Sequence, residues 1–116
     1  MRLAPQFLLL SALTACSVRS FDRATLLAST ASLACDWRQT SNAAAAGWSG
    51  TREANPVMGP HPDTTTVGLY FLGVAFVNAA VWAVVPRGWR SLAPSALVGV
   101  QARTIRGNNG TIGRCI

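Results

Sequence analysis

Asp36 holds the most chemical promise in this chain, because it is an acid on an otherwise uncharged helical face. Thr25, Ser29, Ser32, Asp36 and Gln39 recur at spacings of four, three, four and three, with Thr40 beside Gln39. That rhythm puts them on one face of a helix. Leu26, Leu27, Ala31, Leu33, Ala34 and Trp37 fill most of the remainder. A small-polar stripe on an apolar helix suits close packing in or beside a membrane. An acid within it has the chemistry to bind a cation, relay a proton or clamp a partner. Asp36, Gln39 and Thr40 are therefore the candidate intramembrane polar site. The plainer reading, in which Asp36 pairs with a nearby arginine or meets water at the helix end, is preferred.

The other reactive side chains form no recognisable constellation. His61 is the only histidine and lies between Pro60 and Pro62. It has no second His or Cys beside it, whereas a structural zinc site needs about four ligands. Glu53, His61 and Asp63 share one loop, but nothing in their spacing makes them converge. There is no Ser-His-Asp arrangement, no phosphate-binding glycine loop and no Cys-x-x-Cys pair. No metal or cofactor is expected, and an enzyme is the least supported class.

The element that must carry any function is Val67 to Val85, nineteen residues without a formal charge. At ~1.5 Å per residue it covers about 28 Å, close to the ~30 Å hydrocarbon core of a bilayer. Asp63 and the three threonines after it are placed to cap this helix. Pro86 ends it. Tyr70 near one end and Trp82 and Trp89 near the other are spaced like interfacial aromatics. Ala75, Ala79 and Ala83 repeat every four residues beside Asn78, a small-residue face that suits tight pairing with the first helix or with a second copy.

Composition agrees with a small membrane protein. Half of the 116 residues are hydrophobic and only 12% are charged, with ten arginines, no lysine and four acids. The net charge is 10 − 4 = +6. The arginines are dispersed and no nucleic-acid motif accompanies them, so nucleic acid is disfavoured as a partner. Membrane lipids, a second copy, or an envelope protein are the partners that the sequence suggests.

The first residues read as an export signal. Met1-Arg2 is followed by an apolar stretch, Leu3 to Leu13, and then by small residues, the pattern of a secretory signal peptide. Leu13-Thr14-Ala15-Cys16 resembles the lipobox of bacterial lipoprotein precursors. The resemblance implies removal of residues 1–15, acylation of Cys16 and a mature chain of 16–116 with a charge of 9 − 4 = +5. Ser17 after the Cys is compatible in that family with outer-membrane sorting. The spanning helix favours the inner membrane instead. Asp36-x-x-Gln39-Thr40, Glu53-x-Asn55-Pro56-x-x-Gly59 and the Tyr70-Phe71 pair are together similar to small membrane proteins of proteobacteria and their phages. That resemblance implies membrane location and no particular activity.

Ser20-Phe21-Asp22 is placed to cap a first mature helix starting near Arg23, extending to Ala46 and stopping at Gly47. Thr51 to Asp63, with three prolines, reads as a non-helical connector. Leu92 to Ile105 reads as a shorter helix, with Pro94 tolerated in its first turn. Leu92, Ala96, Val100 and Leu97 give it an apolar face on which to lie on the bilayer or pack beneath the span. Gly107-Asn108-Asn109-Gly110 reads as a turn. Arg87, Arg90, Arg103 and Arg106 are expected at the membrane surface, near anionic headgroups. All four acids precede Val67 and five arginines follow Pro86, which places the first segment in the periplasm and the C-terminus in the cytoplasm. On that topology Cys35 and Cys115 lie on opposite sides and form no bridge.

The expectation is thus an all-α, small membrane protein of two to three helices after an N-terminal signal peptide, lipid-anchored in the bacterial envelope. Its role would be structural or accessory, through helix contacts. The alternatives are a holin-like lysis protein that oligomerises through its alanine face, and a transporter accessory subunit using Asp36 as an ion or proton site.

Overall fold

The computed structural model describes residues 4–109 and 114–115, with side chains described from Arg19 onward. It contains three α-helices, α1 (Ala4–Ala45), α2 (Thr64–Val84) and α3 (Leu92–Asn109), and one 3-10 turn at Arg87–Trp89. The helices run up, down and up. Antiparallel order of α1 and α2 follows from Ser29 meeting Asn78 while Leu33 packs with Val67 and Phe71. α3 returns alongside α1, since Asn108 and Asn109 reach Asp36 and Gln39.

α1 does not start near Arg23. It passes unbroken through Ser20-Phe21-Asp22, because nothing in that tripeptide breaks a helix and the Thr25 hydroxyl bonds back to the Asp22 carbonyl within the turn. The expected removal of residues 1–15 lies outside what this geometry addresses, as does the side chain of Cys16. At its other end α1 stops at Ala45, with Gly47 in the left-handed region at φ +67°. Trp48, at φ +57°, follows it there and returns its N–H to the Ala43 carbonyl. This left-handed exit satisfies carbonyls that the last turn leaves open.

The connector to α2 is folded onto itself. The indole N–H of Trp48 donates to the Pro62 carbonyl at 2.8 Å, and the Glu53 N–H donates to the Pro60 carbonyl at 2.9 Å. Asn55 accepts the Val57 N–H on its side chain, closing a local turn around Pro56. Asp63 caps α2 by accepting the Thr66 N–H at 2.7 Å. That bond holds the Asp63 carboxyl below the usual carboxylate range. Pro86 follows the end of α2 at Val84. Arg90 then folds back, donating to the carbonyls of Val85 and Ala83 and lying 5.0 Å over the Trp82 ring. A cation on the last carbonyls complements the negative end of the helix.

α3 packs along α1. Its apolar residues Leu92, Ala96 and Val100 face outward, and Pro94 and Gln101 are the buried ones. The helix continues through Gly107, Asn108 and Asn109, which corrects the turn expected from composition. One physical cause underlies both features. The polar side chains of α3 find partners on α1, and those contacts outweigh the poor helix propensity of Gly and Asn.

The return of α3 also overturns the expectation of unpaired cysteines. Cys35 and Cys115 form a disulfide, with Cα atoms 5.4 Å apart across 80 residues of sequence. In the chain-entropy view a loop of that length gains about 4 kcal/mol from the cross-link. The bond is checked by thiol alkylation. Reagent added before reduction should leave Cys35 and Cys115 unlabelled, and reagent added after reduction should label both. Cys35→Ser should free Cys115 and lower the unfolding midpoint measurably; an unchanged midpoint would mean the bridge adds no stability.

Candidate functional site

The interior of this bundle is polar. Asp22, Ser29, Asp36, Gln39, Thr40, Asn78 and Gln101 are buried, against a small apolar cluster of Leu33, Val67 and Phe71. Trp37 stacks in parallel on Phe71 at 6.1 Å, and Tyr70 meets Phe71 edge-on at 5.4 Å. This aromatic group fixes α2 against α1 immediately beside the polar stripe.

Asp36, Gln39 and Thr40 come together as the α1 spacing requires, all of them less than 10% exposed. Their partners are on α3. The Asn108 amide donates to Asp36 Oδ1 at 3.1 Å, and Gln39 Nε2 donates to Asn109 Oδ1 at 2.8 Å. Gln101 and Thr40 also hydrogen-bond to Asp36. Two turns towards the other end, Asn78 of α2 donates to Ser29 Oγ at 3.0 Å, wholly buried. Ser29 in turn donates to the Leu26 carbonyl, so its hydroxyl is used in both senses. Thr25 and Ser32 are half-buried and bond back within α1.

A cavity of about 250 Å³ opens beside this network, lined by Asp36, Thr40, Glu53, Asn55, Tyr70, Gln101 and Thr104 among others. Glu53 thus shares a wall with Asp36, a pairing that sequence spacing does not reveal. It is already engaged, since its Oε1 accepts the Asn55 N–H at 2.9 Å. His61 and Asp63 lie apart from Glu53 in role. His61 is exposed against the edge of Trp48, and Asp63 caps α2. Among the described residues, no three of His, Cys, Asp and Glu are grouped to hold a metal ion.

The alanine face divides. Ala75 packs on the apolar cluster and Asn78 is buried against α1, whereas Ala79 and Ala83 are exposed. Of the four expected surface arginines, Arg87, Arg103 and Arg106 are exposed, and Arg90 is half-buried over Trp82. The partners on α3 were legible in principle. Gln101, Thr104 and Asn108 follow spacings of three and four, the rhythm of the α1 stripe.

Outside, α2 is apolar. Leu69, Leu72, Phe76, Val77 and Val84 are each at least 56% exposed. α2 is also the one helix among the described residues that is long and apolar enough to cross a membrane. Comparison with protein-family models, with curated proteins and with solved structures finds no match. The site is therefore read from its own geometry.

Coupling across the α1–α2 contact is measurable by a double-mutant cycle on Ser29→Ala and Asn78→Ala. Hydrogen bonds between helices in membranes contribute about 0.6 kcal/mol on average. A coupling energy of about 0.5–1.5 kcal/mol is expected here, at the upper side because the contact is wholly buried. Strict additivity of the two substitutions would remove this bond from the account of stability.

Proposed function

We propose that this chain is a small membrane-embedded helical protein whose role is structural or accessory, exercised through helix contacts. The observation that carries the reading is the inverted polarity of the bundle, with polar side chains inside and large apolar ones outside. Left in water, the five exposed side chains of α2 would each forgo roughly 1.5–3 kcal/mol of burial. Their sum, about 10 kcal/mol, equals the entire stability of an ordinary domain. Lipid against α2 removes that cost, and buried polar residues are what membrane bundles use between helices.

Orientation in this proposal follows the disulfide. Disulfides persist in oxidising compartments, so the end bearing Cys35, Cys115 and the 46–63 connector faces outward. Arg19, Arg23, Arg87 and Arg90 mark the opposite end, which then faces the cytoplasm. This replaces the assignment from linear charge order. Arg103 and Arg106 follow α3 towards the disulfide end, so arginines stand at both ends and their tally no longer decides. An exported, acylated Cys16 would face outward, yet it lies three residues before Arg19 on the same helix, so the lipobox reading and this orientation are alternatives, and the orientation from the disulfide is the one proposed.

Asp36 acts here as a helix clamp, because Asn108, Gln101 and Thr40 all engage it. A second reading, self-association in the manner of a holin, is favoured by one observation, the exposure of Ala79 and Ala83 on α2.

The test begins with alkaline carbonate extraction of membranes from expressing cells, in which the chain should stay in the pellet. Release into the supernatant would sink the membrane reading. Asp36→Asn, which keeps an acceptor for Asn108, should preserve abundance, while Asp36→Leu should lower it several-fold. Normal abundance of Asp36→Asn with loss of ion flux would favour the transport subunit instead. Collapse of the membrane potential on expression, abolished by Ala79→Leu, would favour the holin-like reading.

A further inference from the structure

The end of the bundle opposite the disulfide gathers four arginines that the sequence scatters. Arg19 and Arg23 of α1 meet Arg87 and Arg90, which follow α2, around a cavity of about 160 Å³. Asp22 and Trp82 complete the lining, so its formal charge is 4 − 1 = +3. Among the described residues, the side chains of Arg19, Arg23 and Arg87 make no hydrogen bond or ion pair. Arg90 is fixed by Val85, Ala83 and the Trp82 ring. The Trp82 indole N–H is buried with no acceptor. The cavity is thus surrounded by donors, with one carboxylate among them. At about 30 Å³ per water it has room for roughly five, enough for a phosphate group.

We propose that this cavity binds the phosphate of an anionic phospholipid headgroup. Guanidinium groups match phosphate in geometry as well as charge. Free phosphate offers the same oxygens, but the rim favours a lipid. Phe21, Val84 and Trp89, each within two residues of a lining residue, are 59%, 80% and 64% exposed, so acyl chains attached to the headgroup find apolar side chains to lie against. Interfacial tryptophan belongs at this depth. Basic pockets at the cytoplasmic ends of spanning helices are a recurring place for anionic headgroups, and the orientation above puts this end there. Asp22 does not reverse the balance, since it is one carboxylate among four cations.

The inference rests on the membrane reading, and the experiment separates the two. The full chain is placed in phosphatidylcholine nanodiscs with and without phosphatidylglycerol, and retained lipid is counted by native mass spectrometry. Wild type should retain phosphatidylglycerol in preference to phosphatidylcholine. Arg23→Gln with Arg87→Gln should weaken that retention about thirtyfold, from the usual gain per basic residue at an anionic surface. Arg103→Gln with Arg106→Gln, at the other end, should leave it unchanged.

Equal loss in both pairs would overturn a built site, since charge alone would then suffice. Inorganic phosphate that displaces phosphatidylglycerol at millimolar concentration would overturn the lipid as the source. A chain that enters nanodiscs but shows no headgroup preference defeats only this inference. A chain that does not enter defeats the membrane reading. Circular dichroism of each variant checks that the helices persist, and Arg23→Lys with Arg87→Lys should restore part of the preference.

Discussion

The bundle depends on a hydrogen-bonded seam between α1 and α3. Asp36 and Gln39 would be costly to bury alone, and they are tolerated because Asn108, Asn109 and Gln101 meet them. That requirement draws α3 back along α1, carries Cys115 to Cys35, and leaves the apolar side of α3 facing out. The small apolar cluster around Phe71 then needs only to hold α2 in place. A protein with a conventional greasy core could slide its helices with modest loss. Here a shift of one turn would strand several buried donors and acceptors at once, so the polar seam sets register as well as adhesion.

Much of this was readable from residue types. The uncharged run Val67 to Val85 marked α2 to within a few residues, and Asp63 and Pro86 marked its ends, because capping and helix breaking are local effects. The α1 stripe put Asp36, Gln39 and Thr40 on one face, but the preferred pairing of Asp36 with an arginine, or with water at the helix end, is overturned: it is buried and bonded by Asn108 and Gln101. Spacing leaves open which elements meet across space, although the polar rhythm of Gln101, Thr104 and Asn108 matches that of the α1 stripe. Asn108 and Asn109 resembled a turn because Gly-Asn-Asn-Gly has low intrinsic helix preference, and only the contact with α1 makes them helical. Glu53 beside Asp36 depends on a connector fold that Trp48 closes, and a single tryptophan in a loop gives no warning of that. The disulfide is hidden for a different reason. Linear charge order puts Cys35 and Cys115 on opposite sides of a membrane, and it does not say where α3 goes.

The two ends of the bundle are chemically unlike. One has a cross-link and a connector rich in proline; the other has a cage of guanidinium groups around Asp22 and Trp82. In the proposed membrane setting a bilayer would see that difference as direction, the cross-linked end suiting an oxidising compartment and the basic end an anionic leaflet. Between them lies a surface of Leu, Val and Phe that asks for lipid or for another apolar helix.

The bond between Cys35 and Cys115 closes a covalent ring that contains the connector, all of α2 and all of α3. Within a ring, a broken peptide bond does not release a fragment. A protease that nicks the exposed connector at Arg52 or Val57 would leave both pieces tied together, each still held to the seam. The chain would be clipped but intact as a particle until the cystine itself was reduced. Turnover would then answer to redox state before it answered to proteolysis.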